Sequence, residues 1–210
     1  NKPVSVIVRL HGDGALSHVY EFDSYKSSKA LTNFAREAAH KNAIILAPKS
    51  PDRFGHTTWW ENMPKNDVWL TSLIENEFLT HPSIDKSRFY WMGYSGGSEF
   101  LSYHYVAQHP ELMKGGVLMV GGGGGSYYSD RMISSSQTLR DVPMSWHVGA
   151  LDDGSTSIDG FNALRASQDG HDAFKRNGFT NAERVVIPGK NHYNVDHQDV
   201  FVNTLLPWIK

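Results

Sequence analysis

The sequence predicts an α/β fold: a doubly wound, mostly parallel sheet of about six or more strands flanked by helices. Two observations predict it. Six short segments are nearly continuously apolar, the pattern of strands buried on both faces, and they alternate with segments whose apolar residues recur at helical spacing. A third observation sets the scale. The 210 residues are 40% hydrophobic and 20% charged, which is an ordinary globular balance with material for one sizeable core rather than two. Residues 1–210 are therefore expected to form a single domain.

In chain order the predicted strands are VSVIVRL (4–10), AIILAP (43–48), RFYWMGY (88–94), GGVLMVG (115–121), MSWHVGA (144–150) and ERVVIP (183–188). Between the first two, SSKALTNFAREAAHKN brings Leu31, Phe34, Ala35 and Ala38 onto one helical face. NDVWLTSLIENEFLTHP does the same with Trp69, Leu70, Leu73, Ile74 and Phe78, and His81-Pro82 ends it. EFLSYHYVAQHP, GFNALRASQDGHDAFKRNGF and NVDHQDVFVNTLLPWIK supply the remaining helices. Right-handed crossovers then place helices on both faces of the sheet.

Composition removes several classes of function. A formal net charge of -2 makes no field that would recruit nucleic acid or an anionic membrane, and no apolar run reaches the length of about 18 residues needed to span one. With no cysteine in the chain, disulfides, thiolate nucleophiles and cysteine-based zinc sites are excluded. No H-x-x-x-H or HExxH spacing occurs, so no histidine-based metal site is expected, and the serine chemistry argued below requires neither a metal nor an organic cofactor. The chain opens at Asn1 without Met or a basic-then-apolar leader, the pattern expected of a processed or trimmed protein.

Five glycines at 121–125 mimic a linker, but they follow the apolar VLMV directly. They do not fit G-x-G-x-x-G in any frame, and no Lys-Ser or Lys-Thr follows for a P-loop. The expected structure is a tight turn at a strand end. SSSQ (134–137) reads as exposed loop.

The chemistry concentrates around Gly93-Tyr94-Ser95-Gly96-Gly97, a G-x-S-x-G between a predicted strand and a predicted helix. Glycine is conformationally costly, so its repetition around one serine needs a geometric reason. In a nucleophile elbow the serine occupies a strained strand-to-helix turn, and the positions two before and two after must be tiny. The motif alone is a weak signal; its strand-helix context strengthens it.

A serine hydroxyl needs a base, and the base needs a third group to orient it. His192, in GKNHYN after the last predicted strand, stands where the base belongs, whereas His197 falls inside the last helix and is expected at the surface. The acid is expected after MSWHVGA, where Asp152 and Asp153 adjoin. Asp152 is favoured, with Asp153 capping the turn. Backbone N–H donors for an oxyanion are expected at Gly96 and, from the loop HGDG after the first strand, at Asp13.

With LHGDG, GYSGG, GALDD and GKNH in this order, the chain resembles the α/β-hydrolases along nearly its whole length. Within them the short format and early LHG are similar to feruloyl esterases, polyhydroxybutyrate depolymerases and esterase-D-like enzymes. The resemblance implies a serine esterase acting through an acyl-enzyme on a small-molecule or polymeric ester. Two departures stand out: the chain starts almost at its first core strand, and residues 121–143 are too short and polar for a large helical cap. A minimal, lidless site is therefore expected.

Substrate clues lie in SPDRFGHTTWWENMP. Trp59 and Trp60 can wall the site, or one of them can plug the core. Tyr94, with Tyr127 and Tyr128, offers further walls. The same triad would serve a peptidase or thioesterase, and the fold can also carry a non-catalytic binding protein.

Overall fold

The computed structural model describes residues 3–15, 30–52, 57–125 and 139–210. Six strands, β1 (Val4–Leu10), β2 (Ala43–Leu46), β3 (Ile84–Tyr94), β4 (Gly116–Val120), β5 (Met144–Gly149) and β6 (Ala182–Ile187), form one sheet in the order β2-β1-β3-β4-β5-β6. Every neighbouring pair is parallel. The strand apolarity required this arrangement: β4 and β5 are buried at every position, which only a sheet covered on both faces permits.

Alternate residues feed two cores. On β3, Phe89 and Trp91 join the cluster that contains Leu70, Phe100, Tyr105 and Phe174. Tyr90 and Met92 join the one that contains Phe34, Phe201 and Leu205. Helices α2 (Met63–Leu73), α3 (starting as Gly96–Phe100) and α4 (Ala163–Arg176) thus cover one face. Helices α1 (Ala30–His40) and α5 (starting as His197–Val200) cover the other. α2 runs on through Ile74–Phe78, α3 through Leu101–Tyr105 and Val106–Gln108, and α5 through Phe201–Leu205, in each case by a π-type turn.

The largest departures from the sequence expectation are two element starts and the make-up of one helix face. β3 begins at Ile84 rather than 88, because Ile84 still pairs with Val4 beyond a shift in register. α3 begins at Gly96 rather than 99, directly after the serine. α2 turns the expected Leu70 and Ile74 inward, with Phe78 packed against the same core, but its buried face also takes in two polar residues. Asn66 and Asp67 are buried while Trp69 is exposed, since Asn66 Nδ2 donates to the carbonyls of Thr58 and Trp59. The glycines at 121–125 end β4 as a largely buried ribbon; Tyr127, Tyr128 and 134–137 lie outside the described residues.

The chain leaves β1 outward to β2 and returns across it to β3, so strand order reverses between β1 and β3. At such a switch point the loops beyond the carboxyl ends of two adjacent strands diverge and open a crevice. The HGDG loop follows β1 and the serine follows β3. The fold therefore opens its crevice where the sequence concentrates its chemistry.

Candidate active site

Ser95 terminates β3 with φ 50° and ψ -119°, a backbone conformation that side-chain-bearing residues avoid. Its N–H donates to the Val120 carbonyl at 2.9 Å and its own carbonyl accepts from Glu99 N–H at 3.0 Å, so strand and helix both hold the turn. The flanking glycines have a steric reason. A Cβ on Gly93 would lie 2.7 Å from Ser98 N, and one on Gly97 would lie 2.7 Å from the carbonyl oxygens of Leu10 and His11. Only glycine lets β1, β3 and α3 meet this closely.

The other two expected partners reach Ser95 from separate loops. Ser95 Oγ lies 2.9 Å from His192 Nε2. His192 Nδ1 lies 2.9 Å from Asp152 Oδ2 and 3.1 Å from Oδ1. A carboxylate only accepts, so Nδ1 carries the imidazole proton and Nε2 is left to accept from the serine hydroxyl. Asp152 is fully buried and His192 is buried, while Ser95 keeps partial access to solvent. Asp153 points elsewhere: it is exposed, and its Oδ1 accepts from the N–H and the hydroxyl of Ser155.

His192 is held beyond its two ring contacts. The Tyr94 hydroxyl donates to the His192 carbonyl at 2.8 Å, and the two rings stack with centroids 5.3 Å apart. Phe161 meets the imidazole edge-on at 5.9 Å. Tyr94 therefore lines the cleft, as expected, and also braces the histidine. His197 departs from expectation. It lines the cleft with its ring edge-on to Tyr94, and burial, with the nearby charge of Arg9, pushes its imidazole down to about 3.

The Gly12–Asp13 turn runs alongside Ser95 and Gly96. A Cβ on Gly12 would stand 3.2 Å from Ser95 Cβ, and one on Gly96 would strike the Asp13 carboxylate. That carboxylate accepts from Trp60 Nε1–H through both oxygens, at 2.8 and 3.0 Å. Burial raises the Asp13 pKa, and the Trp60 hydrogen bond partly offsets this. The turn is braced by His11, which the sequence reading passed over. Its Nδ1–H donates to the Gly12 carbonyl at 2.7 Å and its Nε2 accepts from Ser50 N–H at 3.0 Å. The LHG triplet was the available signal.

A cleft of about 1070 Å³ opens here, lined by Ser95, His192, Gly12, Asp13, Trp60 and Tyr193 among others. Trp60 is 42% exposed, whereas Trp59 is fully buried. The expectation that Trp59 walls the site is corrected. It packs 5.6 Å from Phe100 and 5.4 Å from His11, so it plugs the core beneath the β1 turn. Among the described residues no group of three or more His, Asp or Glu side chains is placed to hold a metal ion, and no helix is long and apolar enough to cross a membrane.

A parallel sheet in this order, with a strained serine elbow after β3 and a histidine loop after the last strand, defines the α/β-hydrolase fold. Solved structures share it. An uncharacterized protein from Bacillus cereus superposes at TM-score 0.69 with 11% identity, over 100% of this chain and 61% of its own, so the chain spans less than two thirds of that protein. A Zea mays acyl-protein thioesterase 2 matches at TM-score 0.61 and 18% identity, over 100% of this chain and 96% of its own. A ferulic acid esterase matches at TM-score 0.66 and 14% identity, over 99% and 85%. No protein-family model matches the sequence, and no curated protein matches it.

Proposed function

We propose that this chain is a serine hydrolase of carboxylic esters. The observation that carries the reading is the relay Ser95 Oγ–His192 Nε2 and His192 Nδ1–Asp152 Oδ2, each step 2.9 Å, at the mouth of an open cleft. His192 takes the hydroxyl proton as Ser95 Oγ adds to the ester carbonyl, and Asp152 stabilises the imidazolium. The tetrahedral oxyanion is met by the backbone N–H groups of Gly96 and Asp13, in the field of the α3 N-terminus. His192 then protonates the departing alcohol, leaving an acyl-enzyme on Ser95. Water, deprotonated by the same histidine, adds to the acyl carbon and returns the acid and the free serine. No step calls on a metal or an organic cofactor.

Trp60 and Tyr193 give the cleft apolar and aromatic walls, which favour an acyl or alcohol group with a flat or aliphatic face. Thioesters would follow the same path. The complete relay argues against a non-catalytic binding protein on this scaffold.

The test is hydrolysis of p-nitrophenyl esters from acetate to palmitate, with ferulate and an acyl thioester alongside, by the parent and by Ser95→Ala. Turnover that disappears in the variant supports the reading, and the preferred acyl group sizes the cleft. Absence of turnover, with Ser95 also refusing a fluorophosphonate label, would overturn it.

A further inference from the structure

Glu99 is a buried carboxylate that the proposed reaction does not use. It stands one helical turn after Ser95, on α3, and reaches the ribbon 121–125. Its Oε1 accepts from Gly123 N–H at 2.8 Å and from Gly124 N–H at 3.1 Å, and Oε2 lies 3.2 Å from the second. Two further side chains hold the same ribbon by its carbonyls: Trp146 Nε1–H donates to Gly123 O at 2.7 Å and Ser102 Oγ to Gly124 O at 2.6 Å. A glycine run has no side chains with which to fix itself, and it loses the most conformational freedom on ordering. Its position is therefore set by these external anchors.

What the ribbon touches at its other end gives the anchor a purpose. Gly121, at φ 61°, lies against the catalytic ring: a Cβ there would stand 3.4 Å from His192 Cε1 and 3.3 Å from Tyr94 Cε2. A Cβ on Gly122 would reach Glu99 Oε1 at 3.0 Å and the Ser95 carbonyl at 3.1 Å. The ribbon is thus one wall of the His192 socket, and Glu99 is its clamp.

We infer that Glu99 is a positioning residue for His192, acting through the glycine ribbon. This rests on the hydrolase reading for its consequence in catalysis, though not for the contact itself. Burial raises the Glu99 carboxyl to about 7, against the lowering effect of the two glycine N–H groups. The clamp therefore changes protonation in the range where a histidine base works. The charged and titratable groups facing it among the described residues are Asp13 from the β1 turn, Tyr103 from the next turn of α3 and, beyond Tyr103, Asp169 from α4. Asp13 raises the Glu99 pKa further, and only the two glycine N–H groups work to keep the carboxylate ionised.

The test combines NMR of the His192 Cε1–H and the Gly123 and Gly124 amides with p-nitrophenyl acetate kinetics, on the parent, Glu99→Ala and Glu99→Gln. Gln keeps an acceptor oxygen for both N–H groups; Ala keeps none. The expected result is a shifted His192 signal and a kcat lowered roughly tenfold or more in Ala, with KM within about twofold, and substantial recovery of both in Gln. In the parent, the two glycine amides should titrate near neutrality, and in Gln that transition should vanish. An unshifted His192 signal and unchanged kcat in Ala would overturn the inference, as would a Gln variant as impaired as Ala. Should Ala not fold, amides that titrate identically in parent and Gln would overturn it alone. If the NMR linkage holds while the parent hydrolyses nothing, the hydrolase reading falls and the clamp stands.

Discussion

Replacing Asp152 by Asn, with Asp153→Asn as its neighbour control, separates two adjacent carboxylates by their environments. Asp152 is fully buried with both oxygens within 3.1 Å of His192 Nδ1; Asp153 is exposed and serves Ser155. In the transition state the imidazole becomes a cation roughly 4 Å from the Asp152 charge, an attraction of about 4 kcal/mol at an intermediate effective dielectric. Losing it corresponds to about a thousandfold in kcat. Asn can also present its amide to Nδ1 and favour the wrong tautomer, which adds to the loss. Asp153→Asn removes only a solvated turn contact and should change kcat by less than about threefold. The assay is kcat for p-nitrophenyl acetate near pH 8, with circular dichroism confirming that both variants fold. Equal losses, or the larger loss at Asp153, would refute the assignment of the acid.

Three more outcomes follow from features of the fold. Gly97→Ala drives a methyl against the Leu10 and His11 carbonyls, backbone that cannot yield; thermal unfolding should show about 1–3 kcal/mol of destabilisation. The two adjacent tryptophans should part company: Trp59→Ala empties a fully buried site and costs about 3–5 kcal/mol, whereas Trp60→Ala should cost no more than about 1–3 kcal/mol, from the lost hydrogen bond to Asp13, and raise KM. The third concerns Asp67, which lies 2.5 Å from His104 Nε2 and 2.6 Å from His109 Nε2. Burial pushes the Asp67 carboxyl up, but the two histidines outweigh it and hold the pKa below the usual range. Burial lowers the His109 pKa, and the contact with Asp67 reverses this to a net rise. The aspartate's contribution is present above its unfolded pKa near ~3.9 and fades as pH falls through its lower folded value; the histidine's is complete below ~6.5 and is lost as pH rises through its higher folded value. The difference in stability between the parent and Asp67→Asn should peak between about pH 4 and 6.5 in urea titrations, and a difference independent of pH would contradict the account.

Strand positions were legible because burial on both faces leaves little room for polar residues, and each of the six apolar segments overlaps an observed strand. The polar part of the inward face of α2 was not. Its buried Asn66 is held by carbonyls of the 58–59 segment, a contact fixed by tertiary structure that helical periodicity cannot anticipate. The elbow was legible because its requirement for small residues is local. The support around it was less so: His11, Glu99 and the bracing side of Tyr94 act on partners 39, 24 or 25, and 98 residues away in sequence. An isolated glutamate in a helix announces no such duty. Trp59 and Trp60 looked alike in the sequence because adjacent residues in a short turn have no periodicity to tell inside from outside.

The order of the sheet has a consequence for how activity arises on folding. Ser95 and His192 are 97 residues apart, and Asp152 and His192 are 40 apart. The relay therefore exists only after β3, β5 and β6 have all found their places. Non-local pairings of this kind form late and slowly. Hydrolysis during refolding should lag behind recovery of helical signal, and a chain severed anywhere between β3 and the His192 loop should regain it only if the pieces reassociate. On the proposed hydrolase reading the site would work as a checksum on the topology: turnover would certify that the last strand has been laid down in register.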